Sequence, residues 1–157
     1  MNIQIFEMPL DFGASRHGSD MGPSAIRLAG LKQSLHELNH TIVKYYSPMH
    51  MDSNDYQDVG EPNLRYLNPI VKACSQLAEA FEKAYDDGDF PLVLGGDHSL
   101  ALGSLSGLAA SAKKRNQKIG VLYVDAHGDF NTTETSPSGN IHGMPVAAAV
   151  DMVMKNW

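Results

Sequence analysis

An α/β fold built on a parallel sheet covered by helices is what this sequence predicts, and three observations carry it. Strand-like and helix-like segments alternate along the chain. Two short runs, Leu92-Val93-Leu94 and Val121-Leu122-Tyr123-Val124, are apolar without interruption, as strands buried on both faces should be. Each run passes straight into polar residues, GGDHS and DAHGDFN, at the strand end where open parallel sheets bind ligands.

The elements follow in order. Residues 3–8 alternate weakly and predict a first strand, ended by Pro9 and the loop around Asp11-Phe12-Gly13. Gly22-Pro23-Ser24 opens a helix, since Pro suits a first turn, and Ile26, Ala29, Leu31, Leu35 and Leu38 supply its apolar face. TIVKYY, residues 41–46, is β-branched and aromatic and predicts a second strand. Residues 47–66 hold Pro48, Gly60, Pro62 and several Asp and Asn, a surface loop that is long for a compact domain.

In residues 69–85, Ile70, Cys74, Leu77 and Phe81 recur at helical spacing, and Asp86-Asp87-Gly88 stops the helix. FPLVLGGDHS is a strand broken by two glycines, residues 99–115 are helical, and residues 119–124 form the last strand. Asp151–Trp157 is expected within or just after a final helix. No internal repeat or low-complexity tract interrupts this order.

Composition narrows the function. A chain of 157 residues suits one domain. Its net charge of -6 and the lack of a long basic run argue against nucleic acid as the main partner. Lys113-Lys114-Arg115 reads as a solvated helix end, where cations sit well against the dipole. Cys74 is the only cysteine, so no internal disulfide forms, and its spacing makes it a small core residue. The N-terminus is not a secretory signal, and no apolar run approaches the roughly 20 residues of a membrane span. A cytoplasmic protein is the default expectation.

The chemistry-bearing residues gather after the two apolar runs. Alternation in an extended segment points Asp125, His127 and Asp129 to one side, and His98 shares their rim if the two strands are neighbours. Two carboxylates and an imidazole in an apolar setting are costly unless a cation compensates them. The nitrogen and oxygen donors suit Mn²⁺ or a similar ion, and the surplus of oxygens hints at two metals. The same residues also fit a plainer reading, in which the aspartates cap turns and His127 is a hydrogen-bonded core histidine.

Gly95-Gly96 allows a sharp turn that faces His98 to the rim, and Asp97 and Ser99 suit a helix cap. The loop at 131–145 adds Asn131, Ser138 and Asn140 as neutral hydrogen-bonding groups. It also adds His142, which is either structural or a proton carrier.

GGDHS at 95–99, DAHGDFN at 125–131 and SPSGNIHGMP at 136–145 together resemble the ureohydrolase family. The third stretch is similar to its arginase branch, as is PLDFGASRHGSDMGPSAIR at 9–27. The resemblance runs over nearly the whole chain. It implies a three-layer α/β/α fold with helices on both faces of the sheet. It also implies two Mn²⁺ ions and hydrolysis of L-arginine to L-ornithine and urea by a homo-oligomeric complete enzyme.

By the same resemblance, His98 and Asp129 would ligate one ion, His127 the other, and Asp125 both. Asn131, Ser138 and Asn140 would hold the α-carboxylate and α-amino end of the substrate, beside His127, and His142 would shuttle a proton. The family completes its centre with Ser-x-Asp-x-Asp-x-x-Asp-Pro, which these residues lack. Asp87-Gly88-Asp89 precedes a strand and reads as a turn. The chain is therefore expected to be the N-terminal part, residues 1–157, of a single domain, and inactive alone. The alternatives are another ureohydrolase such as an agmatinase, or a non-catalytic remnant.

Overall fold

Alternating side chains of the first strand, β1 (Asn2–Met8), seed two separate apolar clusters, one on each face of the sheet. A computed structural model describes residues 1–150. Along it follow α1 (Gly22–Leu28), α2 (Leu31–Glu37), β2 (Thr41–Tyr46), a small hairpin of β3 (Gly60–Glu61) and β4 (Leu64–Arg65), and α3 (Leu67–Asp86). Then come β5 (Phe90–Gly95), α4 (Ala101–Lys114) and α5 (Pro145–Ala149). The segment Asp151–Trp157, expected at a helix end, lies outside the described residues.

The sheet runs β2-β1-β5 and both pairings are parallel. Ile3 and Ile5 meet Leu94, with Leu31 and Leu35 of α2 over them. Phe6 and Met8 point the other way, onto Ile70, Cys74 and Leu77 of α3 and Leu102 of α4. Helices therefore cover both faces, and the expected parallel three-layer fold is what forms. Small residues let α3 and α4 approach closely: a Cβ on Gly103 would lie 2.7 Å from the Cys74 carbonyl oxygen.

Three expectations are corrected. The helix opened by Pro23 is two helices, because Gly30 adopts φ 98°, a left-handed geometry that ends one helical run before Leu31 starts the next. Its apolar face is only partly used: Leu31 and Leu35 pack, while Ile26 and Leu38 are exposed. The loop at 47–66 carries the β3–β4 hairpin, whose second strand is bridged by Asn140.

The third correction concerns residues 119–124, which form no strand. A strand exists through its hydrogen-bonded ladder, and among the described residues β5 pairs with β1 alone. The period-2 alternation survives without a ladder. Ile119, Val121 and Tyr123 turn toward α3 and α4 to line an apolar cavity of ≈ 660 Å³, while Leu122 and Val124 stand 91% and 88% exposed. Ile119 and Val121 are themselves 40% and 54% exposed, so the uninterrupted apolar run is only partly covered even on that side.

Candidate metal centre

The turn after β5 sets the first ligand-type residue. Gly96 lies against the Leu10 backbone so closely that a Cβ there would be 1.8 Å from the Leu10 oxygen. The amides of Gly96 and Asp97 donate to the carbonyls of Met8 (3.1 Å) and Leu10 (2.8 Å), holding the chain as it leaves the sheet. The buried Asp97 carboxylate then accepts the Ser99 amide at 2.9 Å, the Ser99 hydroxyl at 2.5 Å and the Gly13 amide at 2.8 Å. Those bonds occupy Asp97 as the cap anticipated for it. His98, between the two capping partners, is left to face the rim.

There it meets both aspartates of DAHGDFN. His98 Nδ1 lies 2.8 Å from Asp125 Oδ2 and 2.9 Å from Asp129 Oδ2. These three residues offer ligand atoms within 4.8 Å of one another. His127 stands apart from that group: its Nδ1 sits 3.1 Å from Asp125 Oδ1, and its ring is largely exposed. Asp125 therefore turns one oxygen to each imidazole.

The convergence does not arise as expected, from alternation at the ends of adjacent strands. Residues 125–129 bend, and Asp129 takes φ 45°, a left-handed geometry uncommon outside glycine. The Asp129 carbonyl secures that turn by accepting the amide of Val146 at 3.0 Å, in the first turn of α5.

The donors of the cluster suit a cation. One imidazole nitrogen carries at most one proton, yet His98 Nδ1 faces two carboxylate oxygens and the Tyr123 hydroxyl, the last at 3.2 Å. The Tyr123 hydroxyl donates to Asp129 Oδ2 at 2.8 Å and a His98 N–H can serve Asp125, but the two carboxylates stay side by side, an arrangement suited to a divalent ion, which takes a nitrogen and several oxygens at once. The His127 amide, donating at 2.7 Å, is the main cause holding the Asp125 carboxyl below its ordinary range, and the His127 and His98 rings add to it. Burial and the Asp129 carboxylate push the Tyr123 phenol well above its ordinary value. No thiolate competes, because burial pushes the Cys74 thiol up to about 12.

Around the cluster opens a cleft of ≈ 630 Å³ lined by His98, Asp125, His127, Asp129, Asn131 and His142, with neighbouring backbone. Asn131 is held through its amide on the Gly143 carbonyl at 3.0 Å. His142 is held through its amide on the Gly13 carbonyl at 3.2 Å. Ser138 and Asn140 do not line this cleft. Asn140 is buried, its side-chain amide donating to Ser15 Oγ at 2.8 Å, and Ser138 accepts the Asn140 amide at 3.3 Å. Asp87 and Asp89 lie elsewhere, beyond α3, where Gly88 takes φ 83° and Asp89 accepts the Gln4 side chain before β5 begins. They are the turn anticipated for them.

Tyr123 escaped the sequence reading, which treated it as one more buried strand residue. Its signal was slight: a lone phenol in an aliphatic run, two residues ahead of Asp125. Gly13 escaped too, since nothing local says that its amide and carbonyl serve Asp97 and His142.

Known proteins resemble this chain in sequence and in fold. The model of the arginase family matches residues 1–156. The arginase of Bacillus caldovelox is 45% identical over 148 residues, covering 94% of this chain and 48% of that protein. A crystal structure of arginase from Bacillus subtilis subsp. subtilis str. 168 superposes with a TM-score of 0.83 at 41% identity, over 98% of this chain and 49% of the other. The Entamoeba histolytica arginase in complex with L-ornithine gives a TM-score of 0.81 at 31% identity, over 98% of this chain and 51% of that one. The chain spans about half the length of the curated relatives it matches.

Proposed function

The chain belongs to the arginase family, and we propose from that premise that it carries part of a centre for manganese-dependent hydrolysis of L-arginine to L-ornithine and urea. The observation that carries the reading is Asp125, whose two oxygens face two different imidazoles. His98, Asp125 and Asp129 would hold one Mn²⁺, and His127 with Asp125 the second. A metal pair bound there would supply the Lewis acidity that makes a nucleophile from water at neutral pH.

The protein's own groups do the rest. Asn131 and His127, on the cleft wall, orient the substrate. On the strength of the sequence resemblance Ser138 and Asn140 would receive its α-carboxylate and α-amino end, for which Asn140 would exchange its bond to Ser15 for one to the substrate. His142, lining the same cleft, gives the leaving amine its proton. The enzyme is read as cytoplasmic and, when complete, homo-oligomeric.

The described residues provide three ligands for one ion and two for the other, counting Asp125 twice. We infer that the 157-residue chain alone turns over little or no arginine, which a urea-release assay at saturating Mn²⁺ tests directly. In a complete family enzyme carrying these residues, L-arginine is preferred to agmatine by several orders of magnitude, because hydrogen-bonding groups that would meet an α-carboxylate lose that partner without it. Equal specificity constants would remove Asn131, Ser138 and Asn140 from the substrate site. In the same enzyme His142→Ala lowers kcat by roughly 10²–10⁴ and leaves the manganese content intact; loss of metal would make His142 a ligand or a support instead.

A further inference from the structure

We propose that Tyr123 is a positioning residue that holds His98 and Asp129 together in ligating geometry; this rests on the metal reading above and adds a residue to it. The tyrosine touches both ligands and belongs to neither turn. Its ring stacks on the His98 imidazole with centroids 4.8 Å apart and planes 10° from parallel. Its hydroxyl donates to Asp129 Oδ2 at 2.8 Å.

The two contacts restrain different freedoms. The His98 backbone is set by the Asp97–Ser99 cap, which leaves the tilt of its ring open, and the stack fixes that tilt. The Asp129 backbone is set by its left-handed φ and by the Val146 amide, which leaves rotation of the carboxylate, and the phenol proton fixes that rotation. A partner that holds a ligand in place this way acts on metal affinity without touching metal or substrate.

The residue type suits the place. The ring of Tyr123 borders the apolar cavity, together with Leu102, Val121 and Val146, while its polar tip reaches the ligands. Among the twenty side chains, tyrosine joins a buried flat apolar body to a hydrogen-bonding end in this way. Phenylalanine would keep the stack and lose the bond. Leucine would lose both.

The test uses the 157-residue chain and its Tyr123→Phe and Tyr123→Leu variants, with circular dichroism to establish that all three fold alike. Mn²⁺ binding by calorimetry should weaken about tenfold in Tyr123→Phe and toward a hundredfold in Tyr123→Leu. A metal-free measurement runs beside it. The His98 ring protons should keep their aromatic ring-current shift in Tyr123→Phe and lose it in Tyr123→Leu, and the Asp129 carboxyl ¹³C resonance should move in both.

Unchanged Mn²⁺ affinity in both variants would overturn the proposal, and so would tighter binding, which would mean that the hydroxyl competes with the ion. Unmoved His98 and Asp129 resonances would overturn it without any metal present. If the unmodified chain binds no Mn²⁺ at all, the metal reading fails, and the resonances alone decide whether Tyr123 orients the pair.

Discussion

The Asp97 carboxylate accepts the amide of Gly13 at 2.8 Å, joining the turn that carries His98 to the N-terminal loop whose carbonyl holds His142. Two residues 84 positions apart thereby set the spacing of the site's two walls. A Cβ on Gly13 would fall 2.5 Å from Asp97 Oδ1 and 2.8 Å from Ser99 Oγ, with both atoms tied into the helix cap. Gly13→Ala should therefore destabilise the chain by about 1–3 kcal/mol, as overpacking does, and lower its Tm. Thermal melts followed by circular dichroism check this, and a Tm equal to that of the unmodified chain would dismiss the clamp.

Metal stoichiometry separates the roles of the ligands. Asp125→Asn should weaken binding of both ions, because each of its oxygens faces a different imidazole. His127→Ala should weaken one ion and leave the other near its original affinity. Electron paramagnetic resonance of free Mn²⁺ in a titration counts the ions bound. If Asp125→Asn keeps the stoichiometry of the unmodified chain, Asp125 does not serve two sites.

Leu122 and Val124 are exposed apolar side chains in a segment that pairs with no strand among the described residues, and such a surface favours association. The 157-residue chain should self-associate with rising concentration, and a Leu122→Lys, Val124→Lys double variant should stay monomeric. Sedimentation velocity on both reads the outcome. A monomeric unmodified chain across the same range would count against this surface.

The acidic limit of stability should involve Asp86. It accepts the Ser111 hydroxyl and pairs with Arg115 at 2.9 Å and Lys114 at 3.5 Å, and these contacts, the hydroxyl first, hold its carboxyl below the ordinary range. A depressed folded value means that the contribution is fully present above the unfolded value of about 3.9 and is lost as pH falls through the folded one. Asp86→Asn should melt below the unmodified chain at neutral pH, and the gap should close only under strongly acidic conditions. Melts across the acid range test this, and a gap that widens as pH falls would contradict it.

Much of this protein was legible in residue spacing alone. TIVKYY gave β2 its limits, Thr41–Tyr46, because β-branched and aromatic residues carry strand preference locally. Ile70, Cys74 and Leu77 named the buried face of α3, since a 3.6-residue period is a property of the chain itself. The donor types were legible too: Asp125, Asp129 and His98 offer oxygen and nitrogen donors wherever they fall in space.

Tertiary structure decided the rest. Residues 119–124 have a strand's composition, but pairing depends on a neighbour that no local pattern can supply, and among the described residues none pairs with them. Which imidazole meets which oxygen of Asp125 depends on the bend at Asp129 and on where Gly96 packs against Leu10. The contact between Tyr123 and His98, and the diversion of Asn140 to Ser15, likewise join positions far apart in sequence. Propensity and periodicity are local and can be read along a chain; ladders, stacks and shared carboxylates are made between distant segments, so only the folded arrangement specifies them.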